Sequence, residues 1–298
     1  MVRISVSAWA LSVGLVLPAV ADDYDACFDM EQPEIAIETC TAGLLAGAWQ
    51  PSQFERVYHN RGAAYGNLGK HSLAIEDYEI ALALNPELAP THYNKGLALK
   101  QFGKFEEAIS SYDRALTLRP TYVGALIDRG IAHKSLKKYE LAIEDYTAAL
   151  SFVPGDARAL NNRGNSLRRL GRFEEALSDF DRAIQSGADD VGIFNNRGLV
   201  YFDMKDFVSA IRDFDAAIMH DSDFILALNN RGRAYQQLGD AEMTFRDWSA
   251  AIRIAGAGWI TRWQEHLKDA GQYVGASDGV ESAAFWKSLR ACAQDTDC

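Results

Sequence analysis

Asn60-Arg61-Gly62 returns as Asn94-Lys95-Gly96, Asp128-Arg129-Gly130, Asn162-Arg163-Gly164, Asn196-Arg197-Gly198 and Asn230-Arg231-Gly232. Every step is 34 residues, with no insertion across six copies. A fixed period of this size marks a repeat architecture, in which each copy is one supersecondary unit that buries its apolar face on its neighbours. Six units follow: 55–88, 89–122, 123–156, 157–190, 191–224 and 225–258. The length of 298 residues would otherwise have suggested two ordinary domains. The period overrides that estimate.

Within each unit the spacing predicts two helices. Position 8, counted from the start of a unit, is always glycine: 62, 96, 130, 164, 198 and 232. Position 24 is always a ring: Tyr78, Tyr112, Tyr146, Phe180, Phe214 and Trp248. Position 27 is always alanine, and position 20 is alanine except at Thr244. Positions 20, 24 and 27 share one face of a second helix, and positions 4, 8 and 11 share one face of a first. Small residues let the two backbones approach, and the ring fills the space that remains. Gly69, Gly103, Gly171 and Gly239 fit the left-handed position that ends the first helix. Pro86, Pro120 and Pro154 close three units, where a proline stops one helix and is suited to begin the next.

These residues resemble the tetratricopeptide repeat family: small residues at 8, 20 and 27, a ring at 24, proline at 32. The resemblance spans residues 55–258. It implies an all-α, right-handed superhelical α-solenoid whose first helices line a concave groove that takes a protein or peptide. It also implies that positions 2, 5, 9, 12 and 13 face that groove. Those positions include Arg56, Lys100, Lys134, Arg158, Arg168, Arg169 and Arg233, with Asp203 the single acid. Background composition would place about three bases and four acids there, so the groove inverts the sign of the chain. An acidic ligand, or one with a free C-terminal carboxylate, is expected. The asparagines at position 6 (Asn60, Asn94, Asn162, Asn196 and Asn230) have two readings. They bridge neighbouring helices, or they offer donor and acceptor to the backbone of an extended peptide. The base at position 7 is expected to pair with the acid at 23: Asp77, Asp145, Asp179, Asp213 and Asp247.

The ends read differently. Met1-Val2-Arg3, an apolar stretch to Val20 and the small residues Ala19-Val20-Ala21 have the layout of a secretory signal peptide over residues 1–21. Export, with a periplasmic location and no membrane span in the mature chain, is the expectation. Residues 22–54 read as an N-terminal capping half-repeat. Ala36, Cys40 and Gly43 fall at positions 20, 24 and 27, and Cys27 falls at position 11, facing Cys40. Residues 259–298 read as a C-terminal helical cap, with Trp259, Trp263 and Leu267 as one stripe and Phe285, Leu289 and Cys292 as another. Trp259 and Trp263 are expected to cover the last repeat beside Trp248. This segment resembles part of a peptidoglycan-binding module, in Trp263-Gln264, Leu267 and Gly271, then Tyr273, Gly275 and Asp278-Gly279. Glu281-Ser282 departs from that pattern, which has an aromatic-glycine pair there. Four cysteines allow three pairings. Six stacked units hold the chain ends too far apart for a bridge, which leaves Cys27–Cys40 and Cys292–Cys298.

Charge and motif content narrow the function. With 41 acids against 30 bases, a net charge of −11 argues against a nucleic-acid partner. Six scattered histidines carry no metal-ligand spacing, and no phosphate-binding loop is present, so no metal and no cofactor is expected. Gly275-Ala276-Ser277-Asp278-Gly279 matches a nucleophile elbow in letters only, because that motif needs a preceding strand. The sequence therefore reads as an exported, non-catalytic scaffold for protein–protein interaction. The alternative is a cell-envelope adaptor that binds peptidoglycan through its C-terminal segment.

Overall fold

The computed structural model describes residues 25–187 and 190–298. The signal peptide expected over residues 1–21 lies outside the described residues. Among them are fifteen α-helices and no strand. Two compact units part between Asp128 and Arg129.

In the first unit, α1 (Pro33–Ala46) begins on Pro33, whose fixed φ suits a first helical turn, and ends at Gly47 with φ 64°. The hairpins α2 (Phe54–Asn67) with α3 (His71–Leu84) and α4 (Ala89–Gln101) with α5 (Phe105–Leu118) follow. Helix α6 (Val123–Ser135) contains the division between the units. The second unit continues through α7 (Tyr139–Phe152), α8 (Ala157–Arg169), α9 (Phe173–Gln185), α10 (Val191–Asp203), α11 (Phe207–His220), α12 (Ile225–Gln237) and α13 (Ala241–Ala255). It closes with α14 (Ala257–Asp269) and α15 (Ala283–Cys292).

Each hairpin is locked where the sequence pattern placed its ring. A Cβ added to Gly62 would stand 2.8 Å from the Tyr78 ring. The same atom would stand 2.5 Å from Tyr112 at Gly96, 2.8 Å from Phe180 at Gly164 and 2.6 Å from Trp248 at Gly232. No side chain fits between those helices, so glycine is obligatory there. The turn between the helices is a Schellman closure in which the position-16 N–H donates to the position-11 carbonyl. Examples are Lys70 to Tyr65 at 2.9 Å and Arg172 to Leu167 at 2.9 Å. Gly69, Gly103, Gly171 and Gly239 take positive φ there. Lys137 and Lys205 occupy the same position at φ 59° and 64°, a conformation that side chains disfavour. Pro86, Pro120 and Pro154 sit in the turn after a second helix, and the next helix starts three residues later. They stop a helix and do not begin one.

Arg–Asp pairs clamp the hairpins. Asp77, Asp145, Asp179, Asp213 and Asp247 are nearly inaccessible, and each accepts two arms of the arginine sixteen residues earlier. The arginine's other arm reaches position 25 of the preceding repeat: Arg163 to Thr147, Arg197 to Asp181, Arg231 to Asp215. Arg61 reaches Thr41 of the leading segment in the same way. One residue thus fastens a hairpin and its predecessor. In the unit 89–122 both partners change together: Ser111 replaces the acid, and Lys95 pairs with Glu79 of the preceding repeat.

Both disulfides are formed, Cys27–Cys40 with Cα atoms 4.9 Å apart and Cys292–Cys298 at 5.2 Å. The first lies in a core with Trp49 and Val57. At the other end Trp263 covers Trp248, ring centroids 4.8 Å apart. The buried face of α14 is Ile260, Gln264 and Leu267, offset from the expected stripe of Trp259, Trp263 and Leu267. Trp259 and Trp263 stay partly open because Phe285 and Leu289 of α15, with Tyr273, fill the space under α14.

Candidate functional site

First helices of neighbouring repeats touch within each unit: α2 with α4, α8 with α10, and α10 with α12. Among the described residues, second helices of those repeats make no comparable contact, so the first helices form the inner face. That face is where the groove positions lie.

The asparagines of the second unit bridge first helices. Asn196 Nδ2 donates to Asn161 Oδ1, and Asn230 Nδ2 donates to Asn195 Oδ1, both at 2.9 Å. In the first unit Tyr93 Oη donates to Asp128 Oδ2 at 2.9 Å in the same register. Position 5 of one repeat therefore meets position 6 of the next. The doublets Asn161-Asn162, Asn195-Asn196 and Asn229-Asn230 carried this signal, because both members recur at 34 residues. Asn60 lines a hollow of about 160 Å³ with Arg56 and His59, and Asn94 lines one of about 230 Å³ with Gly66 and His71.

The groove bases fall into two groups. Lys100 Nζ is paired with the buried Asp128 at 2.5 Å, and Arg168 Nη1 with Asp203 at 2.7 Å. Those two charges are already answered within the protein. Arg56 lies over the Phe28 ring at 5.0 Å and Arg233 over Phe202 at 4.8 Å. Arg169 is exposed at the end of α8, and Arg158 is in its first turn.

Lys134 is different. Its Nζ donates to Asn162 Oδ1 at 2.6 Å, while Asn162 Nδ2 donates to the Arg158 carbonyl at 2.9 Å. Burial holds the Lys134 pKa below its ordinary value. Among the described residues it has no carboxylate partner. This is a desolvated ammonium satisfied only by an amide.

The C-terminal segment shows what its motif does. Gln264 is fully buried, donates to Asp278 Oδ1 and to the Val280 carbonyl at 3.1 Å each, and accepts the Gly279 N–H at 2.9 Å. Gly279 has φ 73°. Gln264 is thus a buried strut that holds the exposed turn at Asp278-Gly279. Ser277 lies in this turn, with no strand before it. His266, Cys292 and Cys298 lie close together, but the two sulfurs are bonded to one another, so neither is a thiolate that could hold a metal. No helix among the described residues is long and apolar enough to cross a membrane.

The architecture defines the class: a protein built of repeated helical hairpins. Residues 55–88 and 89–122 match one tetratricopeptide repeat model, and residues 127–191 match another. A tetratricopeptide repeat protein of Parabacteroides merdae superposes with a TM-score of 0.62 at 19% identity, covering 88% of this chain and 94% of its own. YrrB, described as having an unusual peptide-binding site, gives 0.54 at 22% over 64% and 97%. The pilF protein of Pseudomonas aeruginosa gives 0.57 at 17% over 66% and 89%. These likenesses establish the fold. None of the curated proteins matches the sequence.

Proposed function

We propose that this chain is an exported, non-catalytic scaffold whose repeats hold an acidic segment of a partner protein. The observation that carries the reading is Lys134, a cation drawn out of water and answered only by Asn162. A buried charge without a counter-charge is costly, and an acidic side chain or terminal carboxylate laid across α6 and α8 would supply one. Arg158 and Arg169 stand on the same inner helix and add to the field. Peptide binding by a protein of this fold, as described for YrrB, supports the same reading by analogy. Export is supported by the two disulfides, which persist in oxidising compartments.

The adaptor alternative rests on the C-terminal resemblance, whose residue Gln264 is buried and spent on the turn at Asp278. The groove is therefore the preferred site. The test is affinity capture from envelope extract, followed by titration of the captured partner. Lys134→Met with Arg169→Gln should weaken binding at least tenfold. The outer-face control Glu174→Ala with Glu175→Ala should leave it unchanged, and added salt should weaken it. Equal affinity of both variants would overturn the reading.

A further inference from the structure

The last repeat and the cap border an open pocket of about 360 Å³. Asn229, Arg233 and Gln236 reach it from α12, and Trp259, Arg262, Trp263 and His266 reach it from α14, with Trp248 as its floor. Asn229, Arg233 and Gln236 are groove positions 5, 9 and 12 of the last repeat. The cap thus closes the inner face of the second unit with an aromatic wall.

Three features define what fits. Three indole rings line it, with Trp248 and Trp263 in tilted contact at 4.8 Å and 45°, so an aromatic body has ring surface to pack on. Arg233 and Arg262 are exposed, and neither has an ion-pair partner among the described residues. Among the described residues no Asp or Glu side chain lines the pocket. His266 is occupied by the Cys298 main-chain oxygen at 2.7 Å, and the Gln236 amide donates to the Cys292 and Asp295 carbonyls. These contacts hold the rim in place, and the two guanidinium groups are the pocket's cationic elements, Arg233 resting on Phe202 and the Asn229 amide beside it. An apolar pocket of this size with a few fixed polar groups suits a small ligand or the end of a chain.

We infer that this pocket binds an amphipathic anion, a carboxylate carried within a bond or two of an aromatic ring. The ring lies against Trp259 and Trp263, and the carboxylate is met by Arg233 and Arg262. The inference is independent of the Lys134 site, which lies on other repeats.

The test uses the mature protein, monitored by the indole N–H signals of Trp259 and Trp263 and by calorimetry. Phenylacetate should bind at about 1 mM or tighter, as its size allows, and phenylacetamide and phenethylamine should bind at least about tenfold more weakly. An acetylated tripeptide ending in phenylalanine, with a free carboxylate and as its amide, separates the two sources of this chemistry. A peptide acid that binds much more tightly than phenylacetate identifies a chain terminus; equal affinity identifies a free small acid. Arg262→Gln is a surface change that should keep the melting temperature and weaken the acids about tenfold, with Trp259→Ala as a second variant. Acid and amide binding equally, acid binding unchanged in both variants, or no acid binding would each overturn the inference. So would shifts at these indoles produced by a chitooligosaccharide and by none of the acids, which would make the pocket a glycan site.

Discussion

Arg163 closes on Asp179 with two hydrogen bonds of 2.7 Å, and its remaining arm reaches Thr147 of the preceding repeat at 2.9 Å. Both charges are largely withdrawn from water, with side-chain exposures of 17% and 3%. Removing one partner from such a pair leaves the other uncompensated, so Asp179→Ala should lower stability by about 3 kcal/mol. The unit 89–122 shows a tolerated substitute, with Lys95 and Ser111 at the two positions. Arg163→Lys combined with Asp179→Ser should therefore be less destabilised than Asp179→Ser alone. A denaturant double-mutant cycle reads the difference, and simple additivity would show that the pair is not coupled.

Tyr112 tests the ring position from the opposite side. Its ring fills the hairpin, but its hydroxyl is buried without a hydrogen-bond partner. Burial, and then the nearby Asp128 charge, pushes its pKa far up, as expected for a phenol that is never ionised in the fold. Phe180 and Phe214 fill the same position without a hydroxyl. Tyr112→Phe should leave the melting temperature unchanged or raise it, by up to about 1 kcal/mol in stability. A clear loss would reveal a partner for that oxygen.

Lys137 and Lys205 sit where four other repeats have glycine, at φ 59° and 64°. Lys137→Gly and Lys205→Gly should each stabilise by roughly 0.5–1 kcal/mol, the left-handed strain relieved less the added freedom of the unfolded chain. Gly171→Lys is the reverse control and should destabilise. Thermal melts of the three variants decide it.

The first unit should be sensitive to mild acid. Burial holds the pKa of His59 below its ordinary value, with Nδ1 at 2.8 Å from Thr91 Oγ1. His92 is lowered for the same main reason, partly offset by its bond to the Pro86 carbonyl. The unfolded chain then takes up protons near pH 6.5 before the folded one does. Stability is therefore complete above that pH and falls as pH drops through the window toward the lowered folded values. Melts at about pH 7.5 and about pH 5.5 should show the loss, and His59→Asn should reduce it. A wild-type curve flat across that window would refute the burial argument.

The hairpins were legible in the sequence because their partners lie sixteen residues apart inside one repeat: Gly62 under Tyr78, Arg61 with Asp77, Gly69 at the turn. Contacts between repeats were less so. Lys100 with Asp128 and Arg168 with Asp203 span 28 and 35 residues, and they depend on how one hairpin stacks on the next. Counting charges on the groove face could not reveal that some were already paired. In the cap, the break at Gly256, with φ 74°, resets the register between α13 and α14. The first two positions of the buried stripe consequently move from Trp259 and Trp263 to Ile260 and Gln264, and the tryptophans are left to line a pocket.

Gln264 decides whether the cap's motif is architecture or ligand surface. Its amide makes three hydrogen bonds to the turn Asp278–Val280 and is wholly inaccessible. Gln264→Leu keeps the volume but orphans the Gly279 N–H and the Val280 carbonyl. The cost of unmet buried groups is about 1–3 kcal/mol each. The cap packs Ile260, Leu267, Phe285 and Leu289 onto Trp248 and Ile252 of the last repeat. Loosening it should expose that apolar end, lower the melting temperature and open the 270–282 segment to protease, with aggregation on warming. Trp259→Ala, at the pocket, should leave protease resistance intact. If Gln264→Leu instead melts and resists protease like the wild type but loses retention on peptidoglycan, the turn is a recognition surface and the adaptor reading gains.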